Sequence, residues 1–318
     1  MKKLFLLAMV TVFVIGCTSN DIGFENEQDQ DQNDNQDLEG DDDPVVENSV
    51  RLEVDANFGT VMTNSEGFTL YFFAPDSKGD SNCLGGCATT WPPFHSNDLS
   101  LDDGLDANYF GSITRSDGTE QTTYKGWPLY LFSNDASPGD INGDGSGGVW
   151  FVAKPDYSVM LTRSQLVGRD SDGNETNLTS SFEEGEEQTF YITDASGNTL
   201  YHFSNDSNAT NNFTNEDFSN NGAFPIFYTD LQNVPSVLNT DDFGAIDVFG
   251  EAQLTYKGWP LYKFGGDENR GDNFGTGIPS AGVWPIVNLE TEISPLAEEV
   301  QEEVEEEEVE EEVEEGGY

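Results

Sequence analysis

Cysteine and histidine, the side chains best suited to redox and metal chemistry, are scarce in this chain. It contains three cysteines, Cys17, Cys83 and Cys87, and two histidines, His95 and His202. Covalent haem attachment needs Cys-x-x-Cys-His, whereas Cys83 and Cys87 are separated by three residues and no histidine follows. In an exported chain this pair is expected to form a structural disulfide, with a redox-active pair or a metal site as the alternatives.

Acidic side chains in one loop have the spacing of calcium ligands. Asp140, Asn142 and Asp144 alternate in the sequence ASPGDINGDGSGG, as in the opening of an EF-hand loop. The twelfth position from Asp140 is Phe151, where that loop needs a glutamate. The sequence favours a plain Gly/Asp-rich turn, with a weak calcium site as the alternative and no other cofactor.

Catalytic motifs are not found in the sequence. It has no nucleophile elbow, phosphate loop or Rossmann fingerprint. The chain has 61 acidic residues against 12 Lys and Arg, for a net charge of −49, so no carboxylate pair can be singled out as a glycosidase dyad. This charge excludes nucleic acid, whose phosphates require basic side chains. We expect a protein that is not an enzyme.

The N-terminal residues have the plan of a bacterial export signal. Residues 1–16 combine two lysines with an apolar run too short to span a membrane, and Val14-Ile15-Gly16-Cys17 resembles a lipobox. This resemblance implies cleavage before Cys17 and attachment of a lipid to its thiol, with an ordinary secretory signal as the alternative. Residue 18 is not Asp, which favours the outer membrane, with surface exposure possible.

Acidic segments flank the rest of the chain. Residues 17–51 are rich in Asp, Glu, Asn and Gln and are predicted to form a disordered tether. Residues 290–318 are predicted to be a solvated Glu-rich tail. A low-affinity store of divalent cations is the alternative for the tail.

The central part of the chain is duplicated. The sequence TYKGWPLYLF at 123–132 returns as TYKGWPLYKF at 255–264, and its neighbours recur in the same order. This repetition predicts two homologous domains, 52–156 and 188–289, joined by a polar linker, 157–187. Short aromatic segments bounded by turn residues predict an all-β fold built of hairpins.

Each half repeats once more within itself, which gives four repeat units in total. Each unit contains a Tyr-x-Phe-x-x-Asp motif, in which Tyr and Phe project from one face of a strand and Asp closes the following turn. The twelve motif residues, all predicted to be structural, are Tyr71, Phe73, Asp76, Tyr130, Phe132, Asp135, Tyr201, Phe203, Asp206, Tyr262, Phe264 and Asp267.

The duplicated TYKGWPLY sequence is also a candidate binding surface. Aromatic residues in strands are usually core residues, but exposed ones can stack on sugar rings or anchor a partner. A lysine stands beside the tryptophan in both copies, in a chain with few bases. The candidate residues are Tyr124, Lys125 and Trp127 in the first copy and Tyr256, Lys257 and Trp259 in the second.

These features resemble the secreted-repeat bacterial lipoproteins with a conserved Yx(F/W/Y)xxD motif, a family of unknown function. The resemblance covers nearly all of 55–289 and includes CLGGCATTWPP at 83–93. The second half departs from it there, because NNFTNEDFSNNGAFPIF contains no cysteine.

Several functions are compatible with these features. We favour a surface-tethered, non-catalytic module that binds a glycan or a protein, in which duplication adds avidity. The alternative is a structural or accessory subunit of an outer-membrane assembly. An extracytoplasmic electron-transfer accessory is a third, for which the sequence provides no cofactor ligands. Exposure of Trp127 and Trp259 would favour the binding module.

Overall fold

The computed structural model describes residues 49–169 and 172–296. Cys17, the predicted signal peptide, nearly all of the tether and the tail beyond residue 296 lie outside these residues. Within the described ranges, none of the helices is long and apolar enough to cross a membrane.

The predicted all-β fold is confirmed. The described residues form thirteen short strands in small antiparallel sheets, one α-helix, α1 (Gly86–Thr90), and five 3-10 helices. The strands are β1 (Val50–Asp55), β2 (Gly59–Asn64), β3 (Tyr71–Phe73), β4 (Phe110–Thr114), β5 (Glu120–Tyr124), β6 (Trp127–Pro128), β7 (Trp150–Val152), β8 (Val159–Arg169), β9 (Glu175–Leu178), β10 (Gln188–Asp194), β11 (Phe243–Val248), β12 (Glu251–Tyr256) and β13 (Trp259–Pro260). The 3-10 helices are Ala74–Asp76, Ala107–Tyr109, Ser146–Gly148, Thr240–Asp242 and Phe274–Gly277.

The sheets repeat along the chain. In the first half, β1 pairs with β2 and β4–β5–β6 forms a three-stranded sheet; in the second half, β8 pairs with β10 and β11–β12–β13 forms the matching sheet. The end of β2 at Asn64 lies opposite Val50, as the end of β10 at Asp194 lies opposite Val159. Strands β8 and β10 therefore open the second half as β1 and β2 open the first.

The segment 157–187, predicted as a polar linker, contains β8 and β9. Val159 and Leu161 of β8 are buried, and their alternation along the strand directs both into the core. Several of the polar residues that suggested a linker belong to these strands, among them Arg169 at the end of β8 and Glu175 and Asn177 in β9. The second half thus begins with β8, before its predicted start at residue 188.

The two halves share a buried core. One apolar cluster joins Ala74 and Phe151 of the first half to Val159, Ile192 and Leu261 of the second. The described residues all belong to one compact unit. This shared core holds the two halves in a fixed arrangement.

The aromatic motifs form less strand than predicted. Only Tyr71–Phe73 is a strand, whereas Tyr130, Tyr201 and Tyr262 form isolated bridges. Two of these bridges pair Tyr71 with Tyr130 and Tyr201 with Tyr262. Ser, Asn, Asp and Gly follow the motifs and turn the chain away before longer pairing can develop. The bridges bring two motifs together in each half.

Candidate functional site

The Tyr-x-Phe-x-x-Asp motifs of the first half exchange their hydrogen bonds. The hydroxyl of Tyr71 donates to Asp135 Oδ2 at 2.7 Å, and that of Tyr130 donates to Asp76 Oδ2 at 2.6 Å. The backbone N–H of each tyrosine also donates to the carbonyl of the other, at 2.9 and 3.0 Å. Each motif therefore supplies hydrogen-bond partners to the other.

The second half repeats this exchange. Tyr201 donates to Asp267 Oδ2 at 2.6 Å, and Tyr262 donates to Asp206 Oδ2 at 2.8 Å. Burial raises the pKa of Asp76, Asp206 and Asp267 to about 7, and it raises the pKa of Asp135 and of all four tyrosines in the same direction.

The second oxygen of each motif aspartate holds the next loop, in keeping with the turn-closing role predicted for it. Asp76 Oδ1 accepts the backbone N–H of Asn82 at 2.8 Å, and Asp135 Oδ1 accepts that of Asn142 at 2.9 Å. Asp206 and Asp267 do the same for Asn212 and Phe274. The sequence does not reveal the partner tyrosine, which lies more than fifty residues away along the chain.

The motif phenylalanines end a stack of four aromatic rings. In the first half Phe73 lies on Trp150 at 4.1 Å, Trp150 on Trp91 at 3.8 Å, and Trp91 on Phe132 at 4.1 Å between ring centres. The tyrosines Tyr71 and Tyr130 meet this stack edge-on. The stack shields the exchanged hydrogen bonds from water.

The second half builds the same stack with one substitution. Phe203, Trp284, Phe224 and Phe264 follow each other at 4.7, 3.6 and 4.8 Å, so that Phe224 stands where the first half has Trp91. The central rings of the two stacks were not among the predicted site residues, although the GVW sequence present in both halves was a usable signal.

The predicted disulfide between Cys83 and Cys87 is confirmed. It packs in the apolar cluster that holds Trp91 and Trp150. In the second half Phe213 contacts Trp284 at 4.7 Å and takes part in the corresponding cluster. An aromatic side chain thus packs on the stack of the half that has no cysteine pair.

Both TYKGWPLY copies are tight hairpins with buried tryptophans. Tyr124 lies opposite Trp127 with Lys125 and Gly126 at the turn, where φ is 48° and 80°. The second copy has the same backbone, with φ of 48° at Lys257. Positive φ at both central residues is the signature of a type I′ turn. Trp127 is 1% exposed and Trp259 is 9% exposed, so neither indole is an open platform.

The lysines of these hairpins hold backbone carbonyl groups. Lys125 Nζ donates to the carbonyl of Pro155 at 3.1 Å, and the Tyr124 hydroxyl donates to the same oxygen at 2.9 Å. Lys257 Nζ donates to the carbonyls of Leu289 and Thr291 at 2.9 and 2.8 Å. Burial raises the pKa of Tyr124 and of its counterpart Tyr256 to about 12. Both lysines therefore have architectural contacts.

The first hairpin face, formed by Lys125–Trp127, is covered by the second half. Trp127 Nε1 donates to the carbonyl of Ala195 at 3.0 Å, in the turn that follows β10. The guanidinium of Arg270 lies 4.7 Å from the Trp127 ring centre and donates to the carbonyl of Gly126. Burial lowers the pKa of Arg270 to about 10. We call Ala195–Gly197 with Arg270 the second turn face.

The second hairpin face, formed by Lys257–Trp259, is covered by the chain that follows the second half. Trp259 Nε1 donates to the carbonyl of Glu292 at 2.9 Å, and the N–H of Ser294 donates to the carbonyl of Lys257 at 3.0 Å. The segment 290–296, which we call the cap, thus lies where the second turn face lies on the first hairpin. A groove of about 340 Å³ lined by Trp259 and His202 opens beside it.

The first turn face, formed by Ser65–Gly67 with Pro138, is uncovered among the described residues. These are the counterparts of Ala195–Gly197 and Arg270, and both turns are closed by the same bond from Gly N–H to the carbonyl three residues before, at 3.0 Å. Glu66, Gly67 and Pro138 of this face line an open groove of about 340 Å³. The Ser65 carbonyl accepts a long hydrogen bond from Arg51 Nη1 at 3.5 Å. The turn that the second half uses to contact the first is therefore present again at this end, with Pro138 in place of Arg270.

The predicted calcium ligands form separate local contacts. Asp140 Oδ2 accepts the N–H groups of Ala136 and Ser137, and Asp144 Oδ1 accepts that of Val152. Within the part of the chain that the structure describes, no three His, Cys, Asp or Glu side chains are grouped as a metal site. A weak calcium site here stays a prediction.

The histidines lie apart from the disulfide. The His202 ring packs 4.2 Å from that of Trp259, and burial lowers its pKa to about 4. His95 Nε2 lies 3.1 Å from Asn97 Oδ1 near the surface.

Comparisons with known proteins identify the repeat. The sequence model of one family, described as a secreted repeat of unknown function, matches residues 53–95, 111–154 and 246–288. The first range runs from the end of β1 through β3, the second from β4 through β7, and the third from the end of β11 through β13. They belong to the first, second and fourth predicted units. A search of curated proteins found no match, and neither did a search of solved structures. The description indicates an extracellular or envelope location and assigns no activity.

Proposed function

We propose that this chain, three segments of which match the family of secreted repeats of unknown function, is a non-catalytic protein-binding module of the cell envelope. In this proposal a lipid on Cys17 holds it at the outer membrane, and the acidic segment 17–51 keeps the folded part away from the bilayer. The anchor rests on the lipobox-like sequence that ends at Cys17.

One observation carries the binding role. Inside the chain, a turn face of one half binds a hairpin face of the other, while among the described residues a second turn of the same plan lines an open groove through Glu66, Gly67 and Pro138. The second turn face binds protein through a backbone carbonyl, that of Ala195. The first turn face has the same plan and is therefore suited to bind protein as well. A protein ligand is favoured over a glycan because both candidate stacking rings, Trp127 and Trp259, are covered.

A structural subunit of an envelope assembly is the second candidate. The observation that favours it is the complementarity of the two kinds of face, since such surfaces join repeats into arrays. The two candidates differ in whether the partner is a different protein or a protein with the same repeat.

Site-specific photocrosslinking tests the binding role. A photoreactive residue replaces Glu66, which lines the open groove, in the full chain expressed in the cells that produce it. The matched control places it at Glu251, an exposed acid outside the residues that line this groove. A protein adduct from position 66 and none from 251 supports the proposal. No adduct from either position, or equal adducts from both, contradicts it.

A further inference from the structure

We propose that the cap, residues 290–296, is a removable cover of the second hairpin face, and that the surface which replaces it is the first turn face of a second copy of this chain. This inference rests on the protein-binding role proposed above and takes its partner from the second candidate, in which the partner has the same repeat. The result is a head-to-tail contact between copies, controlled by a segment of the chain itself.

The interface inside the chain provides the template. Trp127 Nε1 donates to the carbonyl of Ala195 at 3.0 Å, and the counterpart of Ala195 in the first half is Ser65. Within the described residues, the Ser65 carbonyl accepts only a long hydrogen bond, from Arg51 Nη1 at 3.5 Å, and the next two residues of its turn, Glu66 and Gly67, line the open groove. Trp259 Nε1 instead donates to Glu292 of the cap. The cap therefore holds the hydrogen bond that an incoming turn would make.

The one large difference between the two turn faces matches a difference between the two hairpin faces. Arg270 of the second turn face donates to the carbonyl of Gly126, but its counterpart in the first turn face is Pro138. The matching carbonyl, that of Gly258, already accepts the N–H of Ala209 at 2.8 Å. The second hairpin face thus needs no arginine, and the first turn face has none.

Steric contacts also favour pairing of the first turn face with the second hairpin face. A Cβ added at Gly126 would lie within 3.2 Å of the Arg270 guanidinium, whereas one added at Gly258 would meet Ser294 and the Asn208 side chain. Asn208 therefore occupies the place over the turn glycine that arginine occupies in the first half. A turn face with arginine would collide there, and one with proline would not.

The cap buries little apolar surface. It is held largely through backbone groups, including Asn208 N–H to the carbonyl of Pro295 at 2.8 Å, and its Ile293 side chain is 75% exposed. A segment that buries little apolar surface opens at low free-energy cost relative to global unfolding. The second turn face, by contrast, is fixed by the shared core. The cap can therefore leave while the halves stay together.

Opening the cap by substitution tests this inference in the full chain. Ser294 is buried and lies against Gly258, so Ser294→Arg cannot fit beneath the closed cap. Analytical ultracentrifugation in about 0.5 M salt, where screening shortens the range of charge repulsion to a few Å, measures association. We expect the weight-average mass of the variant to rise by about twofold or more with concentration, while the unaltered chain stays monomeric.

Two further variants identify the surface. Pro138→Glu places a carboxylate on the first turn face and should abolish the association of Ser294→Arg. Ala136→Glu, an exposed control two residues away and outside the groove lining, should leave it unchanged. Excess synthetic peptide of sequence NLETEISPL, which contains the cap, should return the variant to monomer, and a scrambled peptide should not.

The contradicting results are specific. If Ser294→Arg does not fold, Ser294→Asp serves in its place, because a smaller charged side chain at this buried position also opposes closure of the cap and leaves Lys257–Trp259 unaltered. A folded cap-opened variant that stays monomeric overturns the inference, as does association that survives Pro138→Glu. A crosslink from position 66 to a different protein, with the cap-opened chain monomeric, would preserve the proposed function alone.

Discussion

At the scale of single residues, the tyrosine and aspartate of the repeat motif form the polar centre of each half. The aspartates Asp76 and Asp206 are fully buried, and each accepts a tyrosine hydroxyl and a backbone N–H. A buried carboxylate needs such donors, because an unsatisfied one carries a large desolvation cost. The motif therefore requires a second copy of itself to be stable.

Removing one hydroxyl from this pair should destabilise the fold. We expect Tyr130→Phe to lower the free energy of unfolding by about 2 kcal/mol, because Asp76 loses a donor while it stays buried. Tyr228→Phe is the matched control, since Tyr228 donates to Asp230 at 2.8 Å on the surface. Urea denaturation measures both. Equal losses would contradict a special role for the buried pair.

The same carboxylates predict how stability changes with pH. The pKa of Asp76, Asp206 and Asp267 is raised to about 7 by burial, against about 3.9 for an unfolded aspartate. The folded state thus retains protons that the unfolded state loses between these values. The free energy of unfolding should fall as pH rises from about 4 to about 7 and level off above.

Comparison with variants separates this effect from the general repulsion of an acidic chain. Asp76→Asn has no proton to lose and should show a shallower decrease in unfolding free energy from pH 5 to pH 8. Asp98→Asn, at an exposed position, should retain the decrease of the unaltered chain. If Asp76→Asn and the unaltered chain have equal slopes, Asp76 is not the titrating group.

At the scale of elements, the Lys-Gly hairpin is the part that both halves need. Its positive φ values reverse the chain within two residues, and its outer face receives either the second turn face or the cap. Glycine at the second turn position serves two purposes: it adopts the left-handed backbone, and it leaves space for the covering segment.

A pair of substitutions separates these two purposes. Gly126 and Gly250 both have positive φ, but a Cβ at Gly126 would meet Arg270, whereas nothing lies within 4 Å of one at Gly250. Gly126→Ala should therefore cost about 1 kcal/mol more in unfolding free energy than Gly250→Ala, through displacement of Arg270. Thermal unfolding of the two variants measures the difference. Equal costs would show that the contact with Arg270 contributes nothing.

The hairpins, their turn residues and the disulfide could be predicted from the sequence, because each depends on residues close together in the chain. The exchange between Tyr71 and Asp135 could not, because it joins residues 64 apart and each motif alone suggests a local turn. The stack of Phe73, Trp150 and Trp91 was missed for the same reason.

The spacing of residues in the sequence could not predict whether the two tryptophans of the TYKGWPLY copies are exposed. Trp127 and Trp259 have the same neighbours in sequence, and different distant segments cover them. Strand β8 was missed because polar residues dominate the composition of 157–187. In both cases the deciding contacts lie in the other half of the molecule or in the flanking chain.

At the scale of the whole molecule, the proposed anchor makes a simple prediction. Cys17→Ser should move the protein from the membrane fraction to the soluble extracytoplasmic fraction, because the thiol that would carry the lipid is gone. The double variant Cys83→Ser, Cys87→Ser removes the disulfide and should stay in the membrane fraction. Cell fractionation with metabolic lipid labelling distinguishes the two. Membrane retention of unlabelled Cys17→Ser protein would contradict the anchor.

The two hairpin faces of the unaltered chain allow a direct test of the central claim, that one is a permanent interface and the other a capped docking surface. Hydrogen exchange at the two indole N–H groups, followed by NMR in the full chain, compares them within one molecule. The Trp259 indole should exchange much faster than that of Trp127, because the cap opens locally while Trp127 is released only when the halves separate. Equal protection of both indoles would show that the cap is as permanent as the shared core and would contradict the claim.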